Sequence, residues 1–173
     1  MKEIEVKILE IDKEKILEQL LAFGAVKVAE GEIYSTFFDF SDGTLKKNKK
    51  SLRLRNHNNR KFMTYKAHIS QVGTKQEEEF EVDVSSLDEM ENILKNIGID
   101  RVDELKGKRT SYKLGKISFE FDEYDGIPSY MEIEAQSEEE INAWVQKLGI
   151  NKEKVTPWGS RELFAHYGKI LYY

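Results

Sequence analysis

Cysteine is absent from the 173-residue chain, which excludes disulfides, thiolate-bound zinc and thiol catalysis at once and suits a reducing cytoplasm. Proline occurs only twice, and no Ser/Gly-rich linker interrupts the chain, so one domain over residues 1–173 is expected. No apolar run approaches the ~20 residues of a membrane-spanning helix, and the opening residues are already charged, so neither a span nor a leader is expected. An excess of one charge sign is lacking as well: 27 Lys and Arg face 32 Asp and Glu. That near balance argues against a sequence-blind nucleic-acid binder. A Walker motif, a phosphate-cradling glycine loop and a Ser–His–Asp order are likewise missing. Composition is compatible with a homodimer, and oligomeric state is not otherwise legible.

Charged residues make up 34% of the chain against 39% apolar, and they are ordered by two periods. Three amphipathic helices carry their own punctuation. Asp12 caps Ile16, Leu17, Leu20 and Leu21 before Gly24. Ser86 and Glu89 make a capping box ahead of Met90, Leu94, Ile97 and Gly98, and Ser137 and Glu140 repeat it ahead of Ile141, Trp144, Val145, Leu148 and Gly149. A fourth, shorter helix is expected after Pro157, with Leu163, Phe164 and Tyr167. The rest alternates with period two. Strands are expected near 2–10, 26–39, 50–57, 61–67, 76–84, 99–105, 108–114, 116–124 and 129–136. A strand with Glu-x-Glu leads to a helix ending apolar-Gly-apolar three times, after Glu5, Glu81 and Glu134. Such recurrence suits a pseudo-symmetric barrel, although an open sheet could be built from the same strands.

Residue types sharing a strand face carry the functional information. Glu3, Glu5 and Lys7 oppose Ile4, Val6 and Ile8; Arg53 and Arg55 oppose Leu52 and Leu54. Glu79, Glu81 and Asp83 oppose Phe80 and Val82, Glu120 and Asp122 oppose Phe119 and Phe121, and Glu132 and Glu134 oppose Met131, Ile133 and Ala135. Each pattern alone is an ordinary half-exposed strand. Together they place Glu-x-Glu three times and Arg-x-Arg once on faces of single sign, where like charges repel unless a cation or an anion joins them. If the apolar faces lie under the helices, the charged faces line a lumen, and a barrel of about eight strands leaves room for one small ligand. Hard oxygen donors without cysteine or clustered histidine favour Mg²⁺, Mn²⁺ or Ca²⁺ over zinc, and arginine forks suit phosphate oxygens.

These motifs resemble the CYTH, or triphosphate tunnel metalloenzyme, family, which includes class IV adenylyl cyclases, thiamine triphosphatases and inorganic tripolyphosphatases. The resemblance rests on Glu3-Ile4-Glu5-Val6-Lys7, Phe38-Asp39, Leu52-Arg53-Leu54-Arg55, Thr64-Tyr65-Lys66, Glu79-Phe80-Glu81, Arg109 with Tyr112, Phe121-Asp122 and Met131-Glu132-Ile133-Glu134. It holds in order to about residue 136. It implies an α+β fold, a closed eight-stranded antiparallel β-barrel (tunnel) with helices packed outside. It also implies Mg²⁺ or Mn²⁺ held by Glu3, Glu5, Glu132 and Glu134, with Glu81 and Asp122 as further candidates. Lys7, Arg53, Arg55, Lys66 and Arg109 would bind the triphosphate. Two departures stand out: Gly107 replaces the lysine usual two residues before Arg109, and the nearest base ahead of Glu79 is Lys75.

The leading expectation is metal-dependent hydrolysis of a phosphoanhydride bond in tripolyphosphate, a nucleoside triphosphate or thiamine triphosphate. Lys7 or Lys66, its pKa depressed among other cations, would assist proton transfer. Adenylyl cyclisation of ATP to cyclic AMP and pyrophosphate is the alternative. A non-catalytic polyphosphate- or nucleotide-binding module is a second alternative, which leaves the acidic strands without a use. Enclosure is expected to raise the carboxyl pKa values of Glu5 and Glu134 without metal. His57, His68 and His166 are scattered and are not read as bases, Lys46, Lys47, Lys49 and Lys50 read as a solvated turn, and Trp158 reads as helix packing. Arg161 or Lys169 could supply a further cation from the last helix.

Overall fold

The computed structural model describes residues 2–173. Its strands are β1 (Lys2–Ile8), β2 (Val26–Phe40), β3 (Lys50–His57), β4 (Arg60–Ser70), β5 (Lys75–Asp83), β6 (Ile99–Leu114), β7 (Ile117–Tyr124), β8 (Ile127–Ala135) and the short β9 (Val155–Thr156). Its helices are α1 (Lys13–Ala22), α2 (Thr44–Lys47), α3 (Leu87–Asn96), α4 (Glu138–Lys147) and α5 (Ser160–His166). The antiparallel order β5-β4-β3-β2-β6-β7-β8-β1 closes on itself where β1 meets β5. There Glu3 lies opposite Glu77 and Glu5 opposite Lys75. Beyond that seam the same edge of β1 continues into β9, with Lys7 opposite Thr156. Closure removes the open sheet edges and leaves an inside and an outside.

Most of the core lies outside the barrel, and Tyr130, with Leu105 and Tyr124 beside it, reaches it from the lumen side. Ile4, Val6, Phe119, Phe121, Met131 and Ile133 pack against Ile16 and Leu20 of α1 and Ile141, Trp144 and Val145 of α4. Trp144 meets Phe119 edge to face at 5.4 Å. A second cluster sets Phe38, Leu52, Leu54 and Ile99 against Leu94 of α3, and a third sets Leu9, Ile127 and Tyr130 against Leu163 and Phe164 of α5. The capping residues act as expected: Asp12 accepts from Lys15 N, Ser86 from Glu89 N and Ser137 from Glu140 N, each at 3.2 Å. Gly24, Gly98 and Gly149 follow the helices at positive φ (89°, 86° and 64°), where a side chain would be strained. Among the described residues no helix is long and apolar enough to cross a membrane.

Three expectations require correction. The segments 99–105 and 108–114 are one strand, β6, which pairs with β2 from Val26–Lys113 to Phe40–Ile99. Gly107 is a point of close approach within it: a Cβ there would stand 2.6 Å from the Glu123 carbonyl oxygen and from the Tyr124 ring. Lys46 and Lys47 end the short helix α2 where a turn is expected, because buried Asp39 accepts from Leu45 N at 2.8 Å and Lys46 N at 2.9 Å and so supplies the helix with N-terminal acceptors, while all four lysines of the cluster stay exposed as expected. Phe80 and Val82 face outward, as their period requires, but they remain 56% and 52% exposed.

This division of the outer face sets a stability test. Phe119→Ala should destabilise by about 3–5 kcal/mol, as for a buried aromatic. Phe80→Ala should stay within about 0.5 kcal/mol. Denaturant melts of both variants check the contrast, and equal losses would contradict this placement of the core.

Candidate substrate site in the tunnel

Alternation on each strand delivers one side chain in two to the lumen, a cavity of about 640 Å³. β1 supplies Glu3, Glu5 and Lys7, β3 Arg53 and Arg55, β4 Lys66, β5 Glu81, β6 Arg109, and β8 Glu132 and Glu134. All the expected site residues therefore line it except Asp122. That carboxylate is fully buried behind Arg109 and takes its guanidinium in a two-point bond, 2.5 Å from both Nε and Nη2. The cavity also receives Lys75, Glu77, Glu79, Glu120, Arg161 and Tyr173. A continued period of two along β5 is the signal for Lys75 and Glu77, and Glu120 shares its face with Asp122. No sequence signal points to Tyr173. His57 lines the cavity, and burial first and Arg109 second lower its pKa. Trp158 packs on His166 at 4.9 Å, as ordinary helix packing requires. Lys169 reaches Asp125 instead of the lumen.

Acids and bases interlock through the lumen. Lys7 Nζ lies 2.8 Å from Glu132 and 3.3 Å from Glu5. Lys75 reaches Glu5 at 3.0 Å and Glu77 at 2.5 Å, and Lys66 reaches Glu3 at 2.5 Å and Glu79 at 2.9 Å. Arg109 bonds Glu132 at 2.8 Å, while Glu81 pairs with Arg60 at 2.8 Å.

These contacts decide the proton affinities. Burial alone would raise Glu5, but Lys7, Lys75 and Lys66 outweigh it and hold the carboxyl well below the usual range. The expected upward shift at Glu5 is thus reversed, by Lys7 of its own strand and by Lys75 and Lys66, which barrel closure brings beside it. Glu132 is held at about 2 because Lys7 and Arg109 overcome its burial. Glu134 has no ion pair or hydrogen bond among the described residues. Water reaches it through the lumen, yet loss of hydration, then the carboxylates of Glu5, Glu79 and Glu120, push it up to about 7 against Lys66. Glu3 is pushed up to about 8, by burial first and by Glu5 and Glu79 next, in spite of Lys66. Its carboxyl is hydrogen-bonded to Glu79, whose own pKa is lowered, so that pair shares a proton. Lys7 and Lys66 are both raised, because the surrounding carboxylates outweigh burial. The depressed lysine pKa expected from neighbouring cations is not found.

Basic β3 has the opposite character. Arg55 is buried, and its one hydrogen bond goes from Nε to Ser35 Oγ at 2.8 Å. Arg53 donates weakly from Nη2 to Thr64 at 3.4 Å, and its Nε is buried without a partner. Neither guanidinium has a carboxylate within ion-pair distance among the described residues. Loss of hydration and the charges of Arg53 and Arg109 lower Arg55 to about 10.

The barrel is closed and antiparallel, its outer wall is largely apolar, and among the described residues the two β3 guanidinium groups in its lumen have no carboxylate partner. The chain belongs to the CYTH domain family, whose model matches residues 1–156. It is similar to a candidate adenylate cyclase of Methanocaldococcus jannaschii, 29% identical over 164 residues, which cover 90% of this chain and 94% of the relative. A solved structure from Pyrococcus horikoshii OT3 is 26% identical, with a TM-score of 0.77 over 93% of this chain and 98% of that one. A candidate adenylyl cyclase from Hippeastrum with a dominant triphosphatase activity shares the fold at 17% identity, with a TM-score of 0.68 over 98% and 97%.

The raised carboxyl groups make a signed prediction for metal-free protein. Folding raises Glu134 and Glu3 from 4.5 to about 7 and about 8, so the folded chain is the stronger proton binder. Their contribution is fully present below 4.5 and is lost as pH rises through the folded values. Glu5 and Glu132 act oppositely, losing their contribution as pH falls below 4.5. Melting temperature should therefore fall from about pH 5 to about pH 8. Glu134→Gln should flatten that slope and raise the melting temperature at the upper end. A variant with the wild-type slope would show that Glu134 is an ordinary hydrated carboxylate.

Proposed function

We propose that the protein hydrolyses the phosphoanhydride bond of a triphosphate-bearing small molecule with Mg²⁺ or Mn²⁺ bound among the tunnel carboxylates. The observation that carries this reading is the uncompensated pair Arg53 and Arg55. A buried guanidinium without a counter-charge is costly, and an oxyanion with several acceptor oxygens removes that cost. Lys7, Lys66 and Arg109 extend the cationic wall around the same cavity. Asp122 holds the Arg109 fork in place, so its role is positioning.

Donor chemistry fits a hard divalent ion. Among the described residues no three acidic or histidine groups converge as a ready cage. Mg²⁺ does not need one, since it is commonly held by one or two carboxylates together with substrate phosphates. Glu134 has no ion pair or hydrogen bond among the described residues and Glu3 shares a proton with Glu79, so these carboxyls would exchange protons for the ion, with Glu5 beside them. Glu132 and Glu81 are engaged by Lys7, Arg109 and Arg60 and would contribute as those bonds rearrange. A bound ion would neutralise phosphate charge and lower the pKa of attacking water. Lys7 and Lys66, held protonated by their carboxylates, stabilise negative charge building on the phosphate oxygens instead of removing a proton. Cyclisation of ATP is the second reading, favoured by the name of the Methanocaldococcus relative. The dominant triphosphatase activity of the Hippeastrum protein supports the hydrolytic reading.

Incubation with tripolyphosphate, ATP or thiamine triphosphate plus Mg²⁺ or Mn²⁺ should release orthophosphate, and excess chelator should abolish the release. Cyclic AMP with pyrophosphate would favour the cyclase, and binding without turnover would favour a binding module. Arg55→Met should weaken tripolyphosphate binding at least tenfold, the equivalent of a charge-assisted contact of about 1.5–3 kcal/mol. The same variant should melt no lower than wild type without ligand, because it removes an unpaired buried charge. Unchanged affinity would overturn the assignment of β3 to phosphate.

A further inference from the structure

Strand β2 brings no charge to the cavity: it lines it with Val28, Ala29 and the aromatic Phe37. Ser35 and Phe37 point into the lumen while Phe38 points out into the cluster under α3. Phe37 is 4% exposed and lies directly across from Arg53. Its face is covered by the ring of Tyr173, with centroids 3.5 Å apart and planes at 5°. The segment bearing that ring is tied at several points. Lys46 Nζ donates to Tyr172 O at 2.8 Å, Tyr172 N donates to Asp103 at 2.6 Å, and Arg161 Nη1 donates to Tyr173 O at 3.0 Å. The phenol is hydrogen-bonded to Ser160, and the charges of Arg53, Lys75 and Arg161 surround it.

We propose that the Phe37 face is a stacking subsite for the planar ring of the substrate, a nucleobase, and that Tyr173 holds this place until the substrate displaces it. The proposal rests on the triphosphate reading above and narrows it to nucleoside triphosphates. Inorganic tripolyphosphate has no use for an aromatic face beside the guanidinium groups of the lumen. A nucleobase does, since every base has a π face that stacks on an aromatic side chain at parallel spacing. The cross-strand neighbour of Phe37 is Arg53, whose Nε is buried without a partner. A ring on Phe37 therefore sits next to the first free phosphate donor, with Arg55 two residues further along the same strand. Tyr173 shows that a flat ring fits the slot, and its tethers are hydrogen bonds that an incoming ligand can exchange.

The test compares ATP with tripolyphosphate, both with Mg²⁺, so that only the nucleoside differs. The readout is the ratio of their apparent affinities, from KM or, without turnover, from Kd. Phe37→Leu keeps an apolar side chain but removes the flat face, and should lower the ATP-to-tripolyphosphate ratio about tenfold, in line with base stacking. Tyr173→Ala, which leaves the barrel wall intact, should raise the ratio because the competitor for the slot is gone. Thermal melts confirm that each variant is folded, and if Phe37→Leu does not fold, the Tyr173→Ala ratio alone decides. Ratios equal to wild type would reduce Tyr173 to packing and overturn the subsite while leaving the phosphate reading in place. Failure of wild type to bind either ligand would overturn both.

Discussion

Charged groups inside a closed barrel cannot recover the hydration they lose on folding, and the seam between β1 and β5 makes that loss unavoidable here. Once Glu5 lies across from Lys75, the charged faces of β1, β3, β5, β6 and β8 share one lumen of limited volume. Each charge must then find a counter-charge, change its protonation state or await a ligand. The three outcomes are distributed unevenly. Lys7 and Lys75 settle Glu5, Glu3 and Glu134 keep protons, and Arg53 and Arg55 wait for an anion.

Such a lumen is tolerable only because most of the hydrophobic core has been moved to the outer wall. Helices α1, α3, α4 and α5 supply the apolar partners that a filled barrel would find in its interior. Stability and ligand binding therefore rest on opposite faces of the same strands. Residue i is free to vary with the chemistry of the substrate while i+1 is held to the packing of a helix. The arrangement also makes the tunnel stiff, since each functional side chain stands on a paired strand rather than on a loop.

The reversal at Glu5 shows how far a proton affinity depends on the opposite strand. Burial would raise both Glu5 and Glu134, and the two lie across from each other on β1 and β8. Glu5 is distinguished by Lys75, brought beside it by closure, and by Lys7 of its own strand. Glu134 meets no ammonium group at contact distance among the described residues, so loss of hydration, with the neighbouring carboxylates behind it, prevails over the more distant Lys66. The acidic cluster is consequently a mixture of ionised and protonated groups, and it presents oxygen donors whose exchangeable protons a divalent ion can replace.

Period-two alternation is local, and so the strand faces, the inward set Glu3, Glu5, Lys7, Arg53, Arg55, Glu132 and Glu134, and the capped helices were all legible in the sequence. Element boundaries that depend on a partner were not: β6 reads as two strands until β2 is laid along its whole length, and α2 is invisible without Asp39 beneath its N-terminus. Legibility failed in the same way within the site. Asp122 and Glu120 share a face, but only the position of Arg109 decides that the first is a buried clasp and the second a lumen carboxylate. Tyr173 reaches the tunnel from far along the chain, so no local pattern could place its ring on Phe37. The sequence by itself determined which side chains face inward, because pleating sets that residue by residue. Tertiary structure alone decided their charge state, partners and free valences, because those depend on distances between strands that only barrel closure establishes.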